Sequence, residues 1–473
     1  MFAEPFSPQS QILLVVFALL ALIVVACFAP VLVRVLLLAQ AVYWALSFVL
    51  RPLVQLSVNP TPQYADSIAD PRLSELGYPY AIAHALHPVA VGIWIYVVVV
   101  AVYVACHRRM KAGIAVSEAE RTGWQSNSNL VPTLAVAYVV GLLARLTSIA
   151  TGSAGSAGDV SSSNPYLDVL AGVGSLGALG LIIYYRSSRR GATVAILLPL
   201  LIGELVWGIM IESKTPMLGA ALAIAIRFAI EGFTRRRLIT VGAGAVGVGL
   251  AFGWLQSFKV TAADEMASSL VASAYPAPVQ PLLSIIRRFD LFEASTDVYY
   301  MNGRSWISPD FAVTNMFKNL LPSQLGIEKF QSGTRWAQEV RGSSVDMRNV
   351  SVSLAEGHIN EGLLLGGYLG VLIESAFVLA VLVAVTKMLQ SRFIFLIALG
   401  ISLVAVPTVF ERGALGITET LGKGLQGAVV VWVLSIVVIE CRNRIRVRRE
   451  PAEVSLSHVQ ATAPNRERAE QWA

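Results

Sequence analysis

Apolar residues in this chain are gathered into long runs, at roughly 10–29, 33–50, 80–105, 131–150, 165–185, 192–212, 215–233, 238–256, 362–386, 393–409 and 423–440. Each run approaches the ~20 residues that carry a helix across hydrocarbon, and none has the shorter alternation of a membrane-barrel strand. The pattern predicts an all-α polytopic membrane protein of about eleven transmembrane helices. One segment has no run of membrane length, which predicts one large external loop between helices 8 and 9. The chain then divides into 1–256 with the first eight spans, 257–361 as the extracytoplasmic loop, 362–440 with three further spans, and 441–473 as a basic cytoplasmic tail, partly disordered from Pro451. Pro30 marks the end of the first span, and Pro60, Pro62 and Pro71 break 51–77 into a loop.

Composition excludes a soluble fold. Of 473 residues, 55% are hydrophobic and 14% charged, and the mean hydropathy of +0.64 leaves too few polar residues to cover a water-soluble surface. The net charge of +6 is no nucleic-acid signal, because its basic clusters sit beside spans at 107–111, 186–190, 235–237 and 442–449. All four fall on one side of the eleven-span topology, so the positive-inside bias puts the N-terminus outside and the C-terminus in the cytoplasm. Cys27, Cys106 and Cys441 lie in or beside apolar runs and read as small apolar residues. The first span has no basic n-region and no small-residue cleavage pattern, which predicts a retained helix.

Charges inside spans are costly and usually face a protein interior or a wet cavity. Arg145, Lys214, Arg412, His84 and His87 project toward the leaflet that bears the large loop. Each cation reads either as an interfacial snorkelling residue or as part of a set that holds a phosphate or pyrophosphate through charge-assisted bonds. The two histidines also fit ordinary helix packing. Glu204 and Glu374 lie mid-span, as proton-relay groups or as carboxyls bonding neighbouring helices.

The loop has no metal-ligand spacing, no glycine-rich nucleotide cradle and no nucleophile elbow. Asp290, Glu293 and Asp297 share one helical face, either as a solvated face or as a divalent site. Tyr299, Tyr300, Trp306 and Trp336 are rings suited to sugar stacking or to an interfacial belt. The strongest local signal is Glu356-Gly357-His358-Ile359-Asn360-Glu361-Gly362 just before span 9. Glu356 and Asn360 are spaced to share a face. A carboxylate or imidazole held there by a helix end suits a general base, and helix capping would use the same residues.

At these residues the chain resembles the bacterial O-antigen polymerase superfamily, above all the Wzy-type oligosaccharide repeat-unit polymerases. The resemblance runs through Arg288-Phe289-Asp290-Leu291-Phe292, Asn302-Gly303-Arg304-Ser305-Trp306, Leu320-Leu321-Pro322 and the Glu356 to Gly367 exit. Ser323 to Lys329 departs from the family's Arg and Trp-x-Lys-Pro run, and Lys214 stands where a Ser-Arg turn is common. The resemblance implies a metal-independent membrane glycosyltransferase of the C-type class, without cofactor, in the bacterial cytoplasmic (inner) membrane. Its substrate would be an undecaprenyl-pyrophosphate-linked oligosaccharide and its setting the lipid bilayer, with a chain-length regulator as a further partner. It also implies roles: Glu356 or His358 as base, and Arg145, Lys214, Arg288, Arg304 and Arg412 for the leaving pyrophosphate. Asp290, Trp306 and Asn360 complete the glycan-binding set. An O-antigen ligase-like transferase is the nearest alternative, and a proton-coupled transporter using Glu204 and Glu374 is the alternative from another class.

Overall fold

The computed structural model describes residues 6–62, 68–112, 128–153, 164–211, 215–232, 289–322, 325–342, 354–405 and 408–461, with isolated residues between 213 and 287. In chain order its main helices are α1 (Pro8–Ala26), α2 (Val31–Val58), α3 (Tyr78–Ala112), α4 (Leu130–Ala150), α5 (Pro165–Tyr184), α6 (Arg190–Met210) and α7 (Thr215–Glu231). They are followed by α8 (Leu291–Met301), α9 (Pro309–Leu320), α10 (His358–Leu389), α11 (Ile394–Ala405) and α12 (Ala414–Ala461). Eight helices among the described residues are long and apolar enough to cross a membrane: α1 to α6, α10 and α12. The described residues are therefore all-helical, and the chain is a polytopic membrane protein.

Several boundaries differ from expectation, each for a physical reason. Span 2 does not stop at 50: α2 runs through a π-turn at Leu46–Leu50 to Val58. Its polar residues past that point are buried with distant partners, Arg51 on Glu293 at 3.3 Å and Gln55 on the Ile68 carbonyl at 2.6 Å. At 12 residues α11 measures about 18 Å by helical rise, short of the ~30 Å hydrocarbon thickness. The last spanning helix described begins at Ala414, earlier than 423, because Glu374 and Glu361 accept from its first amides, Ala414 and Leu415. It also continues through Pro451 to Ala461, where a disordered tail was expected. The eighth expected span, 238–256, falls almost wholly outside the described residues.

The largest departure is in α10. Gly366 and Gly367 leave helical geometry, and Gly367 has φ 59° and ψ −145°, a conformation only glycine adopts without strain. The helix is thus an elbow: a short limb, 358–365, folds back on a long limb, 368–389. The limbs touch where Gly362 meets the backbone of Gly370 and Val371, leaving no room for a Cβ. Ile359 on the short limb packs onto Gly92 of α3, which ties the elbow into the central bundle.

Small residues also set the closest helix pair. Gly141 on α4 abuts Gly174 on α5, and Gly177 on α5 abuts the backbone at Tyr138, the close approach that small residues give in lipid. Gly141→Leu is expected to force α4 and α5 apart and to cost about 1–3 kcal/mol, as overpacking does. Thermal unfolding in detergent, with Gly191→Leu at an open position as the control, reads this directly.

Candidate active site at the loop exit

The site is built where the loop re-enters the bundle. Gly357, at φ 69°, turns the chain into the short limb of α10 and donates its N–H to the Glu411 carbonyl at 3.0 Å. That bond joins the loop exit to the segment leading into α12. Glu411 is itself held by α2, accepting from the Tyr43 hydroxyl at 2.7 Å, and Trp44 Nε1 donates to the Phe410 carbonyl at 3.1 Å.

Two of the expected residues meet at the centre. The Glu356 carboxyl is fully buried, accepting from Arg412 Nη1 at 3.1 Å and from Ser332 Oγ at 2.8 Å. Arg412 Nη1 also donates to the Leu354 carbonyl at 2.9 Å, and 20% of its side chain remains exposed. Gly416 leaves the space they occupy, since a Cβ there would lie 2.8 Å from Glu356 Oε1 and 2.9 Å from Arg412. Burial pushes the Glu356 carboxyl above the ordinary range, against the downward pulls of Arg412 and of the Ser332 bond. Burial acts to lower the Arg412 guanidinium, and Glu356, Glu411 and Glu419 outweigh it and raise it.

His358 lies one step away and is buried among rings, 5.3 Å from Trp44 and 5.4 Å from Tyr96 between centroids, with no hydrogen-bond partner at Nε2 among the described residues. Asn360 fastens the limb to α8, donating to the Leu291 carbonyl at 3.3 Å and accepting from Ser295 Oγ at 3.1 Å. Glu361, part of the exit motif but assigned no role from sequence, accepts from the Leu415 N–H at 3.1 Å. Glu374 on the long limb accepts from the Ala414 N–H at 2.9 Å. The elbow thereby sets two buried carboxyls side by side on the first amides of α12, where the helix dipole favours negative charge.

The remaining expected residues are dispersed. Asp290 stands at the N-cap position of α8 without a capping bond from its side chain. Arg304 is exposed just after the left-handed turn at Asn302 and Gly303. Trp306 donates Nε1 to Glu339 at 3.0 Å and stacks edge-on against Trp336 at 5.2 Å. Arg145 belongs to a separate assembly inside the bundle: it pairs with Glu204 at 2.7 Å, lies 4.8 Å over the Trp207 ring, and shares Glu204 with Ser175. Lys214 and Arg288 lie outside the described residues. Of the cations expected to face one leaflet, Arg412 alone among the described residues lies beside the exit motif.

The acidic face of α8 is neither a solvated surface nor a metal site. Asp297 is fully buried and accepts from Arg72 at 2.8 Å, Arg341 at 2.9 Å and Trp336 Nε1 at 2.8 Å. Glu293 bridges Arg51 at 3.3 Å and Arg341 at 3.4 Å. This network locks the loop to α2 and to the short helix Pro71–Leu76. Asp297→Ala should remove the carboxylate these arginines share, leaving Arg72 to Asp70 and Arg341 to Glu293, at a cost on the order of 1–3 kcal/mol. Limited proteolysis should then cut the loop well before the membrane helices; a cleavage rate equal to the native chain's would show that the network does not hold it.

Compared with known protein families, curated proteins and solved structures, the chain matches none.

Proposed function

We propose that the chain is a membrane glycosyltransferase of the repeat-unit polymerase kind. It moves a glycan from undecaprenyl pyrophosphate onto the terminal hydroxyl of the next lipid-linked oligosaccharide, at the outer face of a bacterial cytoplasmic membrane and without a metal ion. The observation that supports this best is the Glu356–Arg412 pair: one buried carboxylate and one arginine whose side chain is partly exposed, side by side at the loop exit. The order of motifs that resembles the Wzy-type polymerases supports it independently.

In this reading the pair holds both groups in reserve. A pyrophosphate arriving at the exposed side of Arg412 competes with Glu356 for the guanidinium, and its withdrawal frees the carboxylate. Glu356 takes the proton of the acceptor hydroxyl while that oxygen bonds the donor's anomeric carbon. The bond from that carbon to the pyrophosphate oxygen breaks, and undecaprenyl pyrophosphate leaves with the electron pair, stabilised by Arg412. Exposed Arg304 supplies a second cation at the loop surface, and Ser332 keeps Glu356 oriented.

Glu356→Gln is the direct test. It keeps the shape and removes the base, so turnover on purified lipid-linked repeat units should collapse while KM changes little. Because burial raises the Glu356 carboxyl, native activity should fall toward acid at a higher pH than an ordinary carboxylate would give. Unchanged turnover in Glu356→Gln would remove Glu356 from the reaction.

One observation favours a second reading, proton-coupled transport: Glu361 and Glu374 are paired carboxyls within a membrane-spanning helix. Glu204, the other group that suits such a role by position, is tied to Arg145. Proton uptake driven by a lipid-linked glycan in proteoliposomes, lost in Glu374→Gln, would select this reading over the transferase.

A further inference from the structure

Helix α9, in the loop, has two contrasting faces. Ala312, Asn315 and Asn319 are buried; Asn319 Nδ2 donates to the Phe330 carbonyl at 3.1 Å and to the Leu415 carbonyl at 3.3 Å. Val313, Phe317 and Leu321 recur every four residues on the other side, so they form one stripe. Their exposures are 52%, 68% and 44%, and Leu325, in the turn that follows, is 67% exposed.

The register of α12 gives the depth of this stripe. From Gly424 to Ile439 the helix carries no ionisable residue, a length of about 24 Å at the helical rise. Lys423 and Glu440 bracket it, so against a hydrocarbon layer of ~30 Å the boundary on the loop side falls within about a turn of Lys423. Immediately above Lys423, Gly422 touches the backbone of α9 at Asn319 and Leu320. The C-terminal end of α9 therefore stands at the level where headgroups give way to acyl chains.

Two further observations identify what covers it. Farther along α12, Val429, Trp432, Val433, Ile436 and Val437 face outward with exposures of 46% to 54%, so the stripe lies above an apolar strip on the same helix. Cations sit at the same level: Lys318 is exposed in the last turn of α9, and Lys423, 69% exposed, pairs only along its own helix with Glu419 in the ion pairs described. Apolar side chains beneath a cationic rim are the pattern of an element lying in a membrane interface.

We propose that the end of α9 and the turn after it are seated in the lipid leaflet: Phe317, Leu321 and Leu325 among phospholipid acyl chains, with Lys318 and Lys423 at the headgroup phosphates. The loop is then anchored to the bilayer at a second place besides its helical ends. The claim does not depend on glycosyl transfer.

Depth-dependent quenching tests it on the full chain in phosphatidylcholine–phosphatidylglycerol vesicles. In a background with Cys27, Cys106 and Cys441 changed to serine, Phe317→Cys and Leu325→Cys are each labelled with a nitrobenzoxadiazole fluorophore, and Asp310→Cys serves as the control. Lipids with a nitroxide near the top of the acyl chain should quench the two labels several-fold more than the control, and aqueous iodide should do the reverse. Iodide quenching equal to the control overturns the proposal. So does protection from both quenchers, which would point to contact between copies of the chain. Should labelling disturb the loop, the unmodified chain in vesicles holding a photoactivatable acyl-chain phospholipid gives a second measurement. Lipid adducts on peptides covering 311–325 support the proposal, and adducts confined to the spanning helices overturn it.

Discussion

Arg412→Ala is expected to abolish polymer, leave the single repeat-unit glycolipid to accumulate, and cost on the order of 3–5 kcal/mol of stability. Both losses arise from the pair with Glu356, which is fully buried and has its cation at 3.1 Å. Removing that cation leaves the buried carboxylate without its counter-charge. Loss of fold alone would also remove the polymer, so the informative chain is the double variant Arg412→Ala with Glu356→Gln. Removing both charges should recover most of the stability, because Gln can still meet Ser332. If the Glu356–Arg412 pair acts in the reaction, the double variant folds and makes no polymer, whereas two charges that serve stability alone would leave polymer intact. Polymer of native length from either variant, analysed with the lipid carrier on gels, would exclude Arg412 from the reaction.

The second large effect is expected at Arg145, with the opposite separation of stability from activity. Arg145→Ala strands Glu204 inside the bundle, where the pair at 2.7 Å is almost wholly buried, and should again cost on the order of 3–5 kcal/mol. Replacing both partners by methionine keeps volume without charge, so that variant should unfold within about 1 kcal/mol of the native chain. It should also make polymer, since Arg145 is engaged by Glu204, Ser175 and the Trp207 ring. A Met/Met variant that folds and makes none would return Arg145 to the substrate site.

These two arginines show what the sequence made legible. Both stand out as cations beside or within apolar runs, and the long runs themselves mark most of the membrane helices. Which acid each one pairs with does not stand out, because Glu204 is 59 positions from Arg145 and Glu356 is 56 from Arg412. A spacing that long carries no helical periodicity. The same reason hid the ends of the helices: Arg51 and Gln55 look like loop residues until Glu293 and Ile68 are brought to them. Ser332 comes from the stretch between 323 and 346, which has little pattern of its own, and its role exists only through Glu356. The Gly366-Gly367 doublet was the one local sign of the elbow, since paired glycines in an apolar run commonly mark a break.

The elbow also bears on the order in which the chain can be completed as it is made. Glu361 on its short limb accepts from the Leu415 amide and Glu374 on its long limb from the Ala414 amide, groups that emerge from the ribosome after both limbs. Until the first turn of α12 exists, Glu361 and Glu374 are acids in an apolar segment without those donors, and Glu356 lacks Arg412. The loop exit is thus finished last, by residues from the final spanning helix. A chain stopped before Ala414 would be an unfinished membrane protein open to proteolytic disposal, rather than a stable fold lacking only its tail.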